Sequence, residues 1–314
     1  MDWHWTQLQR LIPPAAGFLL APLLLGIINR TKAFFGGRQG QPLLQPYHDI
    51  LKLLGKGATY SRTTSWVFRA GPLVGLAAAM AAMALVPLGN LGATASFEGD
   101  LLLFAYLLCL MRFFTVLAAL DTGSAFEGMG ASREVLFSAL AEPALFLGLA
   151  ALARQTGSLS LSDMIAAVGP ADWLTQGPAL ALVAAALAVV ILAENARIPV
   201  DDPNTHLELT MIHEVMVLDH GGPDLAFILY GSALKLWALG ALLVGLLVPV
   251  RTGHPAVDAA ATIGGLVLLA VAVGVVESSM ARLRLTRVPK LLVGAVALAA
   301  LALVLVMRDA GGAR

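Results

Sequence analysis

Charge is the first thing this sequence is short of. Only 13% of its 314 residues are Asp, Glu, Lys or Arg, where a soluble domain carries about 25%. With 58% hydrophobic residues and a mean hydropathy of +0.81, the composition excludes an ordinary soluble globule and reads as a polytopic membrane protein. Cysteine is scarcer still. The single thiol, Cys109, lies in an apolar run and forms neither an internal disulfide nor a CxxC metal site, so iron–sulfur or zinc chemistry has to come from a partner. Net charge is zero and there is no basic tract, which excludes nucleic acid as a partner. The opening "MDWHWTQLQRL" lacks the basic region and small-residue cleavage site of a secretory signal, so the first helix is expected to be retained. There is no GxSxG, P-loop or dinucleotide fingerprint, and catalysis confined to this chain is not expected.

Long apolar runs are what the chain has instead. A hydrocarbon core of about 30 Å needs about 20 apolar residues per helix. Eight such runs are present, near 11–29, 67–88, 101–120, 134–153, 178–196, 224–248, 257–280 and 289–307. The fold class is therefore an all-α polytopic membrane protein, and the chain reads as one integral membrane domain over 1–314. If the N-terminus is outside, the inside loops carry Arg30, Lys32, Arg38, Lys52, Lys56, Arg62, Arg133, Arg197, Arg282, Arg284, Arg287 and Lys290. The outside segments then hold only Arg10, Arg154, Arg251, Arg308 and Arg314. The positive-inside rule favours that orientation, with both termini outside.

Three inside segments are long enough to form surfaces. "QPLLQPYHDILKLLGK" at 41–56 puts Leu43, Leu44, Tyr47, Ile50, Leu51 and Leu54 on one side, which predicts an amphipathic helix on the inner face, as interfacial anchor or docking element. "DTGSAFEGMGASR" at 121–133 reads as a small, glycine-rich loop that permits close approach by another backbone. The third, 192–226, concentrates Glu194, Asp201, Asp202, Glu208, Glu214, Asp219 and Asp224 beside His206, His213, His220 and Arg197. Glu194 and Arg197 are spaced to pair on a helix end. Pro199 and Pro203 then break the helix, and Thr205 with Glu208 has the spacing of a capping box for a new one over 205–220. On such a helix the three histidines share one face but rise about 10.5 Å per step, too far to share one metal ion. No metal site is expected. Histidines and carboxylates on one face read better as a proton relay or a docking surface.

Ionisable residues inside spans cost about 2.5–3.5 kcal/mol each to insert and usually mark ion paths. Glu134 and Glu142 lie two turns apart on nearly one face; Glu194 closes the fifth span, Lys235 lies halfway down the sixth and Glu277 ends the seventh. Burial disfavours their charged forms, which suits proton exchange. The plainer readings are interfacial snorkelling for Arg133 and Glu134, structural ion pairs for Glu142 and Lys235, a counter-ion role for Arg112, and an inner-face salt bridge for Glu277.

"AENARIPVDDPNTHLEL" resembles a loop of the complex I membrane subunit known in mitochondria as ND1, which has a direct bacterial counterpart. Glu194, Arg197, Pro199, Asp201, Pro203 and Glu208 fall on that family's pattern, and "GRQGQPLLQPYHDILKLLGK" resembles its inner loop and amphipathic helix. Asn204 and His206 stand where the complex I pattern has two further glutamates. "ARIPVDDP", "THLELTMIHE" and "VESSMARLRLTRVPKLL" are instead similar to the homologous membrane subunit of group 4 membrane-bound [NiFe] hydrogenases, of the formate hydrogenlyase and hydrogenase-4 type.

The resemblance implies a non-catalytic subunit in a bacterial or archaeal cytoplasmic membrane. Its partners would be a hydrogenase large subunit, an iron–sulfur small subunit, an antiporter-like membrane subunit and the lipid bilayer. The [NiFe] centre and iron–sulfur clusters would reside in those partners, and no quinone is expected. The coupling positions would be Glu134, Glu142, Glu194, Asp201, Asp202, Glu208, Glu214, Lys235 and Glu277. The face toward the peripheral arm would include Arg38, Gln45, Asp49, Arg197, His206, His213, Asp219 and His220. The alternatives are the quinone-binding, ND1-type component of an NADH-quinone oxidoreductase and a solitary secondary transporter, which would show inverted repeats and broken helices near the midplane.

Overall fold

The structure is a computed structural model that describes residues 2–202 and 211–312, with side chains over 9–202 and 211–308. It is a bundle of helices: α1 (Asp2–Phe35), α2 (Gln45–Leu54), α3 (Trp66–Leu85), α4 (Asp100–Asp121), α5 (Ala125–Thr156), α6 (Leu161–Ala167), α7 (Pro170–Glu194), α8 (Gly222–Leu247), α9 (Pro255–Ser279) and α10 (Val288–Gly312). A 3-10 turn covers Glu214–Val217. Among the described residues there is no strand, only an isolated bridge between Leu88 and Leu91. In hydrocarbon every backbone N–H and C=O must be satisfied within its own segment, which is why long apolar runs become helices.

All eight expected spans are present, and each is long and apolar enough to cross a membrane: α1, α3, α4, α5, α7, α8, α9 and α10. Because the spans alternate in direction, the loops at 36–65 and 121–124, the described parts 195–202 and 211–221, and 280–287 collect at one end with most of the lysines and arginines. We call this the basic end. The start of α1 and the end of α10 lie at the other.

α8 is the centre of the bundle. It packs against α1, α2, α3, α7 and α9, and its buried residues surround the helix axis rather than forming one stripe. A helix that is apolar all round belongs in an interior. Small residues set the close crossings, as in membrane bundles generally. A methyl group on Gly17 of α1 would meet Met83 and the buried Trp237, and one on Gly71 of α3 would meet Ala118 and the Phe114 carbonyl of α4. Outward-facing apolar side chains such as Leu19, Leu73, Tyr106, Phe113, Leu174 and Leu268 remain exposed, as a lipid-facing perimeter requires.

The basic end is tied together by polar contacts. Asp121, closing α4, accepts the backbone N–H of Ser65 at 2.6 Å and of Phe68 at 3.3 Å, fixing the start of α3. α2 is the expected amphipathic helix and packs against α1 and α8. Tyr47 donates its hydroxyl to the Leu19 carbonyl of α1, and the Leu43 carbonyl lies against Gly26. Leu43, Leu44, Leu51 and Leu54 stay exposed.

Two local expectations are corrected. The glycine-rich stretch 121–133 is a loop only as far as Ser124, and from Ala125 it is already α5. With 32 residues α5 is about 48 Å long, so it outruns the hydrocarbon core. Gly130 does serve a close approach, but to this chain's own segment 211–217: a side chain there would stand 2.9 Å from the Ile212 carbonyl and 2.3 Å from Val215. The second concerns the helix expected over 205–220. In its described part, 211–220, the chain makes only the short 3-10 turn, because Val215, Met216 and Ile212 fold in against α4 and α5 instead of presenting a helical face. The capping-box residues Thr205 and Glu208 lie outside the described residues.

Candidate functional site

Arg112 is the hub of the basic half of the bundle. Its guanidinium, on α4, is shared by three carboxylates of two other helices. Nε donates to Glu134 Oε1 at 3.1 Å, Nη1 donates to Glu142 and Nη2 to Glu194. Glu134 and Glu142 reach it together because they stand two turns apart on one face of α5; Glu194 arrives from the last turn of α7. The Cys109 thiol, one turn before Arg112, donates to Glu142 Oε1 at 3.3 Å. Lys235 Nζ of α8 stands 3.6 Å from Glu194 Oε2. A planar cation with five donors in a fixed fork can reach carboxylates spread around it, where a compact ammonium offers three donors from a single point.

The segment after α7 folds back onto this hub. Ala196 takes a left-handed backbone conformation, φ 52°, and the Arg197 N–H closes on the Leu192 carbonyl at 2.9 Å. The reversal carries Arg197 away from Glu194. Arg197 Nη1 lies 3.4 Å from Glu277 of α9, whose other oxygen is 2.8 Å from Lys32 of α1. The expected Glu194–Arg197 pair is therefore not formed, since the helix ends between the two residues. Glu277 bridges to Lys32 and Arg197 rather than to the basic cluster that follows it in sequence. Burial lowers the pKa of Arg197, and the Glu277 charge acts against that shift.

Asp201 is the other anchor of the segment. Its carboxylate accepts the backbone N–H groups of Asp202 (3.0 Å), Ile212 (3.3 Å) and His213 (3.1 Å), and Arg282 Nη2 lies 2.9 Å away. His213 stands between Asp201 and the hub, with Nδ1 3.4 Å from Asp201 Oδ2 and Nε2 3.1 Å from Glu134 Oε2. Burial opposes a charged Asp201, yet His213 and Arg282 hold its carboxyl below the ordinary carboxylate range. Burial likewise opposes the imidazolium, but Glu134 and Asp201 outweigh it and His213 lies above the usual histidine value.

The remaining expected positions are spread over the basic end. Asp202 is half-buried beside Asp201, and Glu214 opens the 3-10 turn. Asp219 is exposed and donates its N–H to the buried Glu127 at 3.1 Å. His220 does not share a face with His213: it stacks on Phe68 with ring centroids 3.9 Å apart, where burial lowers its pKa. Gln45 donates to Asp49 at 2.8 Å on the exposed side of α2. Arg38 is exposed in the loop after α1. Glu208 and His206 lie outside the described residues.

Sequence reasoning set Arg112 aside as a counter-ion and missed Arg282, Lys32 and Glu127. The available signal was Arg112 itself, a cation in mid-span with acids on two other spans. Glu142 and Lys235 are both ion-paired, with Arg112 and Glu194 respectively. Glu134 is buried in the hub rather than snorkelling, and Arg133 donates to the Met211 carbonyl at 2.9 Å. Among the described residues no three of His, Cys, Asp and Glu have a geometry that could hold a metal ion.

Two cavities adjoin these groups. One of about 10 Å³ is lined by Glu134, Ser138, Glu194 and His213, with Phe137 and Ala141. The other, about 360 Å³, lies between the end of α1 and the loop after it, lined by Asn29, Lys32, Arg38, Gln39 and Gln41.

The chain's relatives carry related architecture. The family model described as NADH dehydrogenase matches residues 11–308. Formate hydrogenlyase subunit 4 of Escherichia coli K12 is 32% identical over 90% of this chain and 93% of its own length. Hydrogenase-4 component C of the same organism is 34% identical over 74% of this chain and 72% of its own length. Among solved structures, a chain of the membrane-bound sulfane sulfur reductase, an archaeal respiratory membrane complex, superposes with a TM-score of 0.82 at 21% identity, covering 96% of this chain and 99% of that one. The eight spans, the family model matched over residues 11–308 and the relatives above together establish that this multi-pass membrane protein belongs to the NADH dehydrogenase family, that of the ND1-type membrane component of complex I.

Proposed function

We propose that this chain is the membrane-anchoring and coupling subunit of a membrane-bound [NiFe] hydrogenase complex of the formate hydrogenlyase and hydrogenase-4 type, in a bacterial or archaeal cytoplasmic membrane. The observation that carries the reading is the Arg112 hub. Charges from α4, α5, α7 and α8 meet inside the bundle, and Glu134, His213 and Asp201 continue the row of ionisable groups, each within 3.4 Å of the next, to the surface segment at the basic end. Such a chain of ionisable groups in an otherwise apolar bundle is what ion movement requires. The similarity to the two Escherichia coli hydrogenase-complex components supports the choice of branch.

On this reading the basic end faces the cytoplasm, and the positive-inside bias supports that orientation. A peripheral arm of hydrogenase large and iron–sulfur small subunits docks on 36–62 and 195–221, and an antiporter-like subunit lies alongside in the membrane. The [NiFe] centre and the clusters stay in those partners, and no quinone binds here. The coupling groups are Glu134, Glu142, Glu194, Asp201, Lys235 and Glu277.

Two measurements test it. Affinity purification of the tagged chain from its native membrane should bring down a [NiFe] large subunit; recovery of NADH-oxidising subunits instead would refute the branch. In the purified complex, Glu142→Gln and Glu194→Gln should leave assembly and electron transfer intact and lower ion movement. Unchanged ion movement in both would assign the hub to structure alone.

A further inference from the structure

Glu134 and Glu194 are joined by Arg112 and separated by it. One oxygen of each is held by the guanidinium, through Nε and Nη2. Arginine keeps its proton in proteins, so nothing passes through that contact. The second oxygens are placed differently. Glu134 Oε2 stands 3.1 Å from His213 Nε2, close enough for exchange although the two are not aligned as a hydrogen bond. Among the described residues Glu194 Oε2 is buried without a hydrogen-bond partner, and the Lys235 ammonium stands 3.6 Å away. Glu134, Glu194, His213 and Ser138 all line the 10 Å³ cavity, whose size is about that of one water molecule.

The other face of the imidazole is fixed. Asp201 Oδ2 accepts the backbone N–H of His213 and lies 3.4 Å from Nδ1, while Arg282 and two further backbone N–H groups keep this carboxylate an acceptor. A carboxylate held in that state selects the tautomer with hydrogen on Nδ1 and leaves Nε2 as the exchanging nitrogen, the logic of an oriented general base.

We propose that His213 carries protons between Glu134 and Glu194 around the Arg112 block, with Nε2 as the exchanging atom and Asp201 as its positioning residue. This rests on the coupling reading above. The transfer balances in two steps. The proton of a Glu134 carboxyl moves from Oε2 to Nε2, giving a carboxylate and an imidazolium. The Nε2 proton then passes through a water in the cavity to Glu194 Oε2, giving a neutral imidazole and a carboxylic acid. His213 returns to its starting tautomer without a ring flip, and the reverse order runs equally. The charges facing the imidazole are Glu134 from α5, Glu194 from α7, Lys235 from α8 and Asp201 from the loop, with Arg112 and Arg282 behind those carboxylates.

The test uses the whole complex in proteoliposomes, reading proton translocation and electron transfer together. His213→Gln removes the exchanging nitrogen. His213→Lys keeps a cation but holds its proton, since the ordinary lysine value is about 10.4. Both variants should lower protons moved per electron at least about tenfold while electron transfer stays within about twofold. Wild-type translocation in either variant overturns the proposal; recovery by lysine alone identifies a structural cation and overturns it too. Asp201→Asn, with His213 in place, should move the pH profile of translocation to lower pH, because the imidazolium loses a carboxylate. An unmoved profile overturns the positioning role, and it decides the matter if neither His213 variant assembles. Loss of translocation in Glu194→Gln but not at His213 refutes this inference alone, whereas wild-type translocation in all of these variants refutes the coupling reading as well.

Discussion

Replacing Arg112 with glutamine is the sharpest test of the architecture. The substitution keeps a hydrogen-bonding amide and deletes the one charge shared by Glu134, Glu142 and Glu194. At the 3.1 Å separation of Arg112 and Glu134, the Coulomb attraction at an effective dielectric of about 20 is about 5 kcal/mol. The Glu142 and Glu194 contacts are no longer than that one. Dehydration of the buried ions offsets most of this sum, and removal of one partner from a buried set costs a net of about 3–5 kcal/mol, because the remaining charges are left uncompensated. Glu134 keeps His213, Glu194 keeps Lys235, and Glu142, a third exposed, keeps the Cys109 thiol. Unfolding of the purified chain in mixed micelles should show a destabilisation of that size for Arg112→Gln. Arg112→Lys should be intermediate, because a compact ammonium keeps the charge but not the fork that reaches all three carboxylates. A destabilisation of Arg112→Gln below about 1 kcal/mol, well short of the cost of breaking a buried set, would refute the claim that one guanidinium fastens α4 to α5 and α7.

Three further outcomes follow from other contacts. Glu277→Gln leaves Lys32 and Arg197 facing each other without an anion and should cost about 3–5 kcal/mol in the same unfolding assay; Lys32→Gln, at the more exposed end, should cost less. Gly130→Ala drives a methyl group into the Ile212 carbonyl and Val215, and overpacking of that kind costs about 1–3 kcal/mol; limited proteolysis should show faster cleavage near 211–217. The two described histidines of the segment should respond to pH in opposite senses, read as amide protection. His213 lies above its ordinary 6.5, so its contribution is complete below that value and is lost as pH rises through the folded-state pKa. His220 lies below 6.5, so its contribution is present above that value and is lost as pH falls through its folded-state pKa. Protection around 212–213 should therefore weaken on the alkaline side and that around 220 on the acid side, and a common direction for both would contradict the assigned environments.

The spans were legible because hydrocarbon leaves the chain no choice: a run of about 20 apolar residues is read directly as a helix. The pairing of Glu134 with Glu142 on one face was also legible, because helical periodicity is local. What escaped the sequence was every partner choice made across helices. Arg112 reads as a lone cation until α5 and α7 are brought beside it, and Glu194 reads as the neighbour of Arg197 until Ala196 turns the chain. The start of α5 was missed for a related reason. Gly128 and Gly130 weaken a helix locally, but the burial of Ile212, Val215 and Met216 against that face rewards it. His213 and His220 share a heptad spacing in sequence, and tertiary packing assigns them to different elements.

The shared guanidinium also bears on how this protein enters the membrane. The chain is made from its N-terminus, so α4 must partition into lipid while Arg112 still lacks its counter-charges. Glu134 and Glu142 follow 22 and 30 residues later, and Glu194 only after 82. A lone mid-span arginine costs about 2.5–3.5 kcal/mol to insert, so α4 is expected to linger at the translocon until α5 arrives as its companion. The helix that anchors the finished hub is thus the one whose insertion depends most on its neighbours.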